Sequence, residues 1–327
     1  MKKKSGQLLA LGVDLGATKV EAALVDGSGK LMTSVRHFTH AEKGPAAVVE
    51  GIAESVKTCL ATAGCRAAYL GIGVAAEVEG GTGNVISAAN MKWRDVPLKK
   101  MLEKATGMPV FVTNDVRAAA WAEWKFGAGR GVDDLACAFV GTGLGGGIIT
   151  HGRLLEGYGN AAAEVGHITI VAGGRKCTCG GRGCLEAYAG GWAIAQRAQE
   201  AVKAHKQAGG KLTALAGSID KITAATVAQA YLAGDLLARR LVKSTARYLA
   251  AGMTGIIHVL NPQVFILGGG VIEGLPQYIE MVEPLVRSRA LEASLRGLRI
   301  IRASLGNKAG VIGAAGMAGE RRAGKGN

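Results

Sequence analysis

An α/β protein of two domains is what this sequence predicts, on three observations. Short apolar strands alternate with both hairpin turns and helical stretches, a mixture that implies sheets with helical crossovers. The opening unit LALGVDLGATKVEAALVDG returns as LACAFVGTGLGGGIITHG, each copy a strand, a glycine-rich turn and a returning strand, the layout of a diverged duplication. And 327 residues are too many for one ordinary core.

Residues 7–13 (QLLALGV) are apolar and β-prone. EAALVD follows a tight glycine turn and LMTSVRHF follows GSGK, so three strands should form an antiparallel meander. A helix is expected over 46–63, then strands at 69–74 (YLGIGV) and at VFVTN, where Asn114-Asp115 opens an Ala-rich helix. After the second strand–turn–strand unit and a cysteine-rich segment, helices are expected at about 186–206, 223–233 and 235–259, with 207–221 read as loop. The strand QVFILGGG, a helix near 276–291, the strand LRIIRAS and an Ala/Gly helix at 309–319 complete the chain.

Hydrophobic residues make up 49% and charged residues 20%, which excludes a disordered chain. The formal net charge of +14 suggests a nucleic-acid binder, yet no basic run exceeds the N-terminal Lys-Lys-Lys and no aromatics interleave with it, so a basic surface suited to anionic small molecules is the preferred reading. The start, MKKKSGQLLALGVDLG, lacks the long apolar core and cleavage site of a signal peptide, and no apolar run is long enough to span a bilayer. The expectation is a cytoplasmic protein with no membrane and no nucleic-acid partner. In such a compartment clustered cysteines favour metal over disulfide.

His167, Cys177, Cys179 and Cys184 supply one imidazole and three thiolates, the complement of a closed, structural zinc site. The competing reading is a set of buried free thiols beside an unrelated histidine. Cys59, Cys65 and Cys137 stand alone in apolar or helical surroundings and read as packed thiols. The turn Asp14-Leu15-Gly16-Ala17-Thr18-Lys19 ends a strand. Its small residues and Thr hydroxyl suit a phosphate, and Asp14 suits Mg²⁺ with its waters. Gly141-Thr142-Gly143-Leu144-Gly145-Gly146-Gly147 offers a second such turn. The G-x-G-x-x-G at 141–146 is not followed by a helix, which lowers a dinucleotide reading. Asn114-Asp115 admits two readings: a proton-accepting carboxylate with an amide beside it, or a helix N-cap.

DLGATK, ND before a helix, GTGLGGG, EVGH and CTCGGRGCLE occur in the order seen in ROK sugar kinases, and the chain resembles that family over nearly its whole length. The resemblance implies the two-domain actin-like ATPase (ribonuclease H-like) fold with an interdomain cleft. The smaller domain would hold 1–115 and 305–327 and the larger one 116–304. It implies ATP-dependent phosphorylation of a hexose 6-hydroxyl, with glucose ahead of N-acetylhexosamines, mannose and fructose. Asp115 would be the base; Asn90, Asn114, Glu164, His167 and Glu186 would hold the other hydroxyls, His167 also binding zinc. Asp14, Gly16, Ala17, Thr18, Lys19, Gly141, Thr142, Gly143 and Gly145 would hold phosphates and Mg²⁺, and Gly268, Gly269 and Gly270 would lie near adenosine. A homodimer or homotetramer is expected.

Two departures from the family pattern lie at the expected sugar pocket. Ala75-Ala76-Glu77 stands where a Pro-Gly turn is usual, and Ala163 precedes Glu164 where a glycine is usual. Both bear on which hexose is preferred more than on the reaction. The family's sugar-responsive repressors carry a helix-turn-helix domain ahead of the kinase fold, and only a short segment precedes the first strand here, which argues for the enzyme.

Overall fold

The computed structural model describes residues 9–204, 209–322 and 324. Three strands, β1 (Ala10–Leu15), β2 (Lys19–Val25) and β3 (Leu31–Phe38), form the expected antiparallel meander. Helix α1 (Pro45–Ala63) starts with proline in its first turn and stops at Gly64, which takes a left-handed φ of 60°. It crosses over to β4 (Leu70–Val74), which pairs parallel to β1.

A small antiparallel sheet follows, made of β5 (Glu77–Val78), β6 (Val85–Ala88) and β7 (Trp93–Val96), and then helix α2 (Leu98–Thr106). Neither was expected: strands of two and four residues carry too little alternation to read. Strand β8 (Val110–Asn114) pairs parallel to β4, closing a five-stranded sheet of order β3-β2-β1-β4-β8. Helix α3 (Asp115–Lys125) leaves its end.

The second sheet repeats part of this plan. Strands β9 (Leu135–Val140) and β10 (Leu144–Thr150) form a hairpin extended by β11 (Arg153–Leu154). After the cysteine segment come α4 (Glu186–Ala189), α5 (Gly191–Ala204), α6 (Gly210–Ala216), α7 (Ala224–Leu232) and α8 (Leu236–Leu260). One expected helix at 186–206 is therefore two, broken at Gly190, whose extended ψ of 153° ends the first. Residues 205 and 206 lie outside the described residues. The loop expected over 207–221 is corrected, since α6 forms there and buries Leu212 completely. That single buried position is too weak a pattern to read as a helix.

Strand β12 (Val264–Gly268), short helix α9 (Gly270–Gly274), α10 (Tyr278–Arg287), α11 (Glu292–Leu295) and β13 (Arg299–Arg302) follow. They complete a sheet of order β11-β10-β9-β12-β13. The largest core lies between this sheet and helices α5, α7, α8 and α10, and a second lies between the first sheet and α1. The terminal helix α12 (Ala309–Arg322) packs on β1, β4 and α3. It does so at backbone distance: a Cβ on Gly12, Gly71 or Gly313 would collide with the carbonyls of Val311, Ala314 and Ala118 respectively.

Candidate active site

Asp14 is the penultimate residue of β1, beside Gly73 of β4 and Glu21 of β2 in register. Burial, with the Asp115, Glu21 charges behind it, raises its pKa to about 7, against an opposing pull from Arg36. Glu21 takes both available cations, Arg36 and Lys308. The turn at 16–18 is held from outside. Thr39 donates its hydroxyl to the Gly16 carbonyl at 2.6 Å and its N–H to the Thr18 carbonyl at 2.9 Å. Lys19 is exposed at the start of β2.

Asp115 begins α3 at the end of β8. Gly73 opposes it, where a Cβ would stand 3.3 Å from the Asp115 Cα. Asp115 Oδ1 accepts from the Val116 N–H at 2.9 Å, and no cation pairs with this carboxylate among the described residues. Burial raises its pKa to about 6, the backbone N–H groups of Val116 and Asp115 lower it, and Glu164 raises it further. Asn114 performs the capping role: Oδ1 accepts from the Arg117 N–H at 3.0 Å, while Nδ2 donates to the Ala76 carbonyl at 3.3 Å. The two readings of Asn114-Asp115 thus divide between the residues, the amide capping the helix and the carboxylate left free.

Glu164 is raised by burial, with His167 and Arg117 pulling down and Glu77 and Glu186 pushing up. His167 ends a short 3-10 turn, Val165–His167, and places Nδ1 3.7 Å from Cys177 Sγ. Cys179 Sγ lies 3.7 Å from Cys184 Sγ, and the four ligand atoms all fall within 4.8 Å of one another. Tetrahedral zinc, with bonds of about 2.0–2.3 Å, separates its ligand atoms by about 3.5–3.8 Å, so the donor set fits a closed Cys3His site. Cys177 and Cys184 are buried and Cys179 is exposed. The lone thiols behave as expected at Cys59 and Cys137, both fully buried, while Cys65 is half-buried.

Glu186 is 8% exposed and its carboxylate is already engaged. It accepts from the Leu144 N–H at 2.7 Å, from Trp192 Nε1 at 3.0 Å and from the Thr178 hydroxyl at 3.2 Å. It therefore touches the second glycine turn, 141–143, whose Gly141 N–H closes on the Gly143 carbonyl at 3.0 Å. Gly145 of β10 lies against Val116 of α3, which brings this hairpin to the Asp115 end of that helix. Gly268 pairs with Phe139 in register, and Gly269, at φ 89°, packs on the Val140 backbone, so Gly268–Gly270 lie next to the turn at 141–143. Asn90 stands exposed in a 3-10 turn between β6 and β7, and no hydrogen bond ties it to the other candidates among the described residues.

The ROK family model matches residues 10–321. The chain belongs to the ROK family. It is 37% identical to a glucokinase of Streptomyces coelicolor over 314 residues, which is 95% of this chain and 98% of the relative. Its fold superposes on a ROK glucokinase of Streptomyces griseus in complex with glucose and AMPPNP, with a TM-score of 0.82, 37% identity and coverage of 95% and 99%. It also superposes on a ROK family transcriptional regulator, a homolog of the E. coli MLC protein, with a TM-score of 0.83 and 28% identity, covering 97% of this chain and 79% of that one. The two-domain actin-like ATPase fold follows from these likenesses.

Within this ROK chain, four side chains that brace the candidate site escaped the sequence reading. Arg117, 2% exposed, donates to the Asn160 side chain and, at 2.9 Å, to its carbonyl, while Asn160 Nδ2 reaches the Val78 carbonyl at 2.9 Å. That chain of contacts ties α3 to strand β5 and to the segment that leads into Glu164. An arginine inside an alanine-rich helix, two residues after Asp115, was the signal available. Thr39, Thr178 and Trp192 act on turns from distant parts of the chain, and nothing local marks them.

Proposed function

We propose that the protein is an ATP-dependent hexose kinase that phosphorylates the 6-hydroxyl, with glucose as the preferred sugar. The observation that carries this reading is the Asp115 carboxylate: without a cationic partner among the described residues, set at a strand-to-helix junction, and close enough to Asp14 and Glu164 for their charges to interact. The likeness to glucokinases along the whole chain supports the same conclusion.

In this reading ATP lies along the turns at 16–18 and 141–145, with the nucleoside toward Gly268–Gly270. Glu164, Asn90, Asn114, the free ring nitrogen of His167 and the remaining acceptor capacity of Glu186 orient the hexose. Asp115 takes the proton from O6 as the O6–P bond forms and the bond from Pγ to the bridging oxygen breaks, releasing ADP. Mg²⁺, when bound, neutralises charge on the phosphates, and Asp14 is the oxygen donor placed to order its waters. Zinc at His167, Cys177, Cys179 and Cys184 would leave no open position and would therefore serve structure. The smaller domain would span 1–115 and 305–327 and the larger 116–304, the cleft between them excluding water from the transfer.

The turn at Ala75-Ala76 bears on specificity. Neither residue takes a positive φ, and Ala76 is fixed by Asn114, so two methyl groups stand where a proline–glycine turn would leave room. Bulky substituents at C2 should be disfavoured. Assembly into two or four copies accords with the exposed, apolar Val259 beside Ile168, Ile170 and Ile256. A cytoplasmic setting accords with six free thiols, and no helix among the described residues is long and apolar enough to cross a membrane. The test is kcat/KM with ATP for glucose, mannose, fructose, N-acetylglucosamine and N-acetylmannosamine. Glucose should lead, and a clear lead for an N-acetylhexosamine would overturn the sugar assignment while leaving a kinase.

A further inference from the structure

We propose that Thr178 and Glu186 are positioning residues for the nucleotide turn at 141–144, through which the cysteine loop sets the shape of the phosphate cradle. This rests on the kinase reading above. Thr178 stands between Cys177 and Cys179, and its hydroxyl donates to Glu186 Oε1 at 3.2 Å. Trp192 Nε1, at the start of α5, donates to the same oxygen at 3.0 Å. The opposite oxygen accepts the Leu144 N–H at 2.7 Å. Two further bonds run from the start of α5 into the turn, from the Gly191 N–H to the Gly141 carbonyl at 3.1 Å and from the Trp192 N–H to the Thr142 carbonyl at 2.8 Å.

The geometry leaves the turn little independence. Gly143 lies so close that a Cβ there would stand 2.5 Å from Glu186 Oε2. A glycine turn binds phosphate only if its N–H groups are held in the binding arrangement, because glycine otherwise samples many conformations. Here the holding group is a nearly buried carboxylate, and a buried carboxylate keeps one orientation only while its donors stay in place. Thr178 is the donor contributed by the cysteine loop, so order in that loop reaches the phosphate turn through one hydroxyl and one carboxylate.

The experiment titrates AMPPNP and, separately, glucose into the full-length protein and its Thr178→Val, Thr178→Ser and Trp192→Phe variants by calorimetry, with zinc content measured on each. Thr178→Val and Trp192→Phe should weaken AMPPNP binding by about fivefold or more, the scale of one lost hydrogen bond to a charged group partly compensated by water. Glucose binding should weaken by a smaller factor, because Asn90, Asn114, Glu164 and His167 hold the hexose beside Glu186 in the reading above. Zinc content should stay that of the parent, and Thr178→Ser should restore nucleotide affinity. Equal weakening of both ligands, or parent-like AMPPNP binding in Thr178→Val, overturns the proposal. If Thr178→Val loses zinc, Trp192→Phe, which lies outside the cysteine loop, decides alone: parent-like AMPPNP binding there overturns it too. A parent protein that binds no AMPPNP contradicts the kinase reading instead.

Discussion

Burial raises the pKa of both Asp14 and Asp115, the Asp115 charge raises Asp14 further and the Glu164 charge raises Asp115 further, and the consequences are measurable. As the base, Asp115 works ionised, so kcat/KM for glucose should fall as pH drops through about 6 and level off above it. The sign reverses for stability. A carboxyl whose folded pKa is raised favours the folded state fully below its ordinary value of 3.8, and that contribution is lost as pH rises through about 6. Asp115→Asn should lower kcat roughly 100–10,000-fold while glucose binding stays near that of the parent; a variant with near-parent kcat would reduce Asp115 to part of the helix cap. Ala163 offers a second test. It adopts a φ of 67° beside Glu164, in the left-handed region that costs a residue bearing a Cβ about 1 kcal/mol. Ala163→Gly should therefore raise stability by up to about 1 kcal/mol in urea unfolding, and a loss of stability would show that this backbone carries no strain. The sequence marked position 163 as unusual but could not show its φ, which the Glu164 turn imposes.

Among the elements, the cysteine loop was the most legible, because four candidate ligands in and just ahead of a glycine-rich stretch need no tertiary information to be noticed. Its contact with Glu186 was not legible: two donors to that carboxylate, from the cysteine loop and α5, were invisible before the chain folded. Cys179→Ser should lose zinc and stability together, since a site absent from the unfolded chain contributes its binding energy to folding; purified parent protein without zinc would sink this account of the loop. The meander and the parallel crossovers were legible from alternation and glycine turns. Strands β5–β7 and helix α6 were not, being short or buried at a single position. Helix α12 was legible as a helix, while the reason for its glycines was not. They let it lie against α3 and the first sheet, so Gly313→Ala should destabilise by about 2–3 kcal/mol or prevent folding, as overpacking against a carbonyl does. Retained stability in that variant would mean that the two helices pack less tightly than described.

At the scale of the whole molecule, two sheets meet around α3 and α12, and the chain crosses back toward the first sheet at 303–309. Glu123 anchors that crossing. Fully buried on α3, it accepts from the Ser304 and Leu305 N–H groups at 2.9 and 2.7 Å and from the Ala128 N–H at 2.9 Å. The duplicated strand–turn–strand layout made two sheets legible, but the helix pair between them depends on contacts nearly 200 residues apart in the chain, which no local pattern reveals. If the sheets form the walls of a closing cleft, ATP should be spent on sugar and not on water. The most direct measurement is ADP release from ATP and Mg²⁺ with and without glucose, read against glucose 6-phosphate formed. The account predicts one ADP per glucose 6-phosphate and turnover at least about 100-fold lower without sugar, as closure gated by substrate requires. ADP release that no hexose stimulates would contradict it.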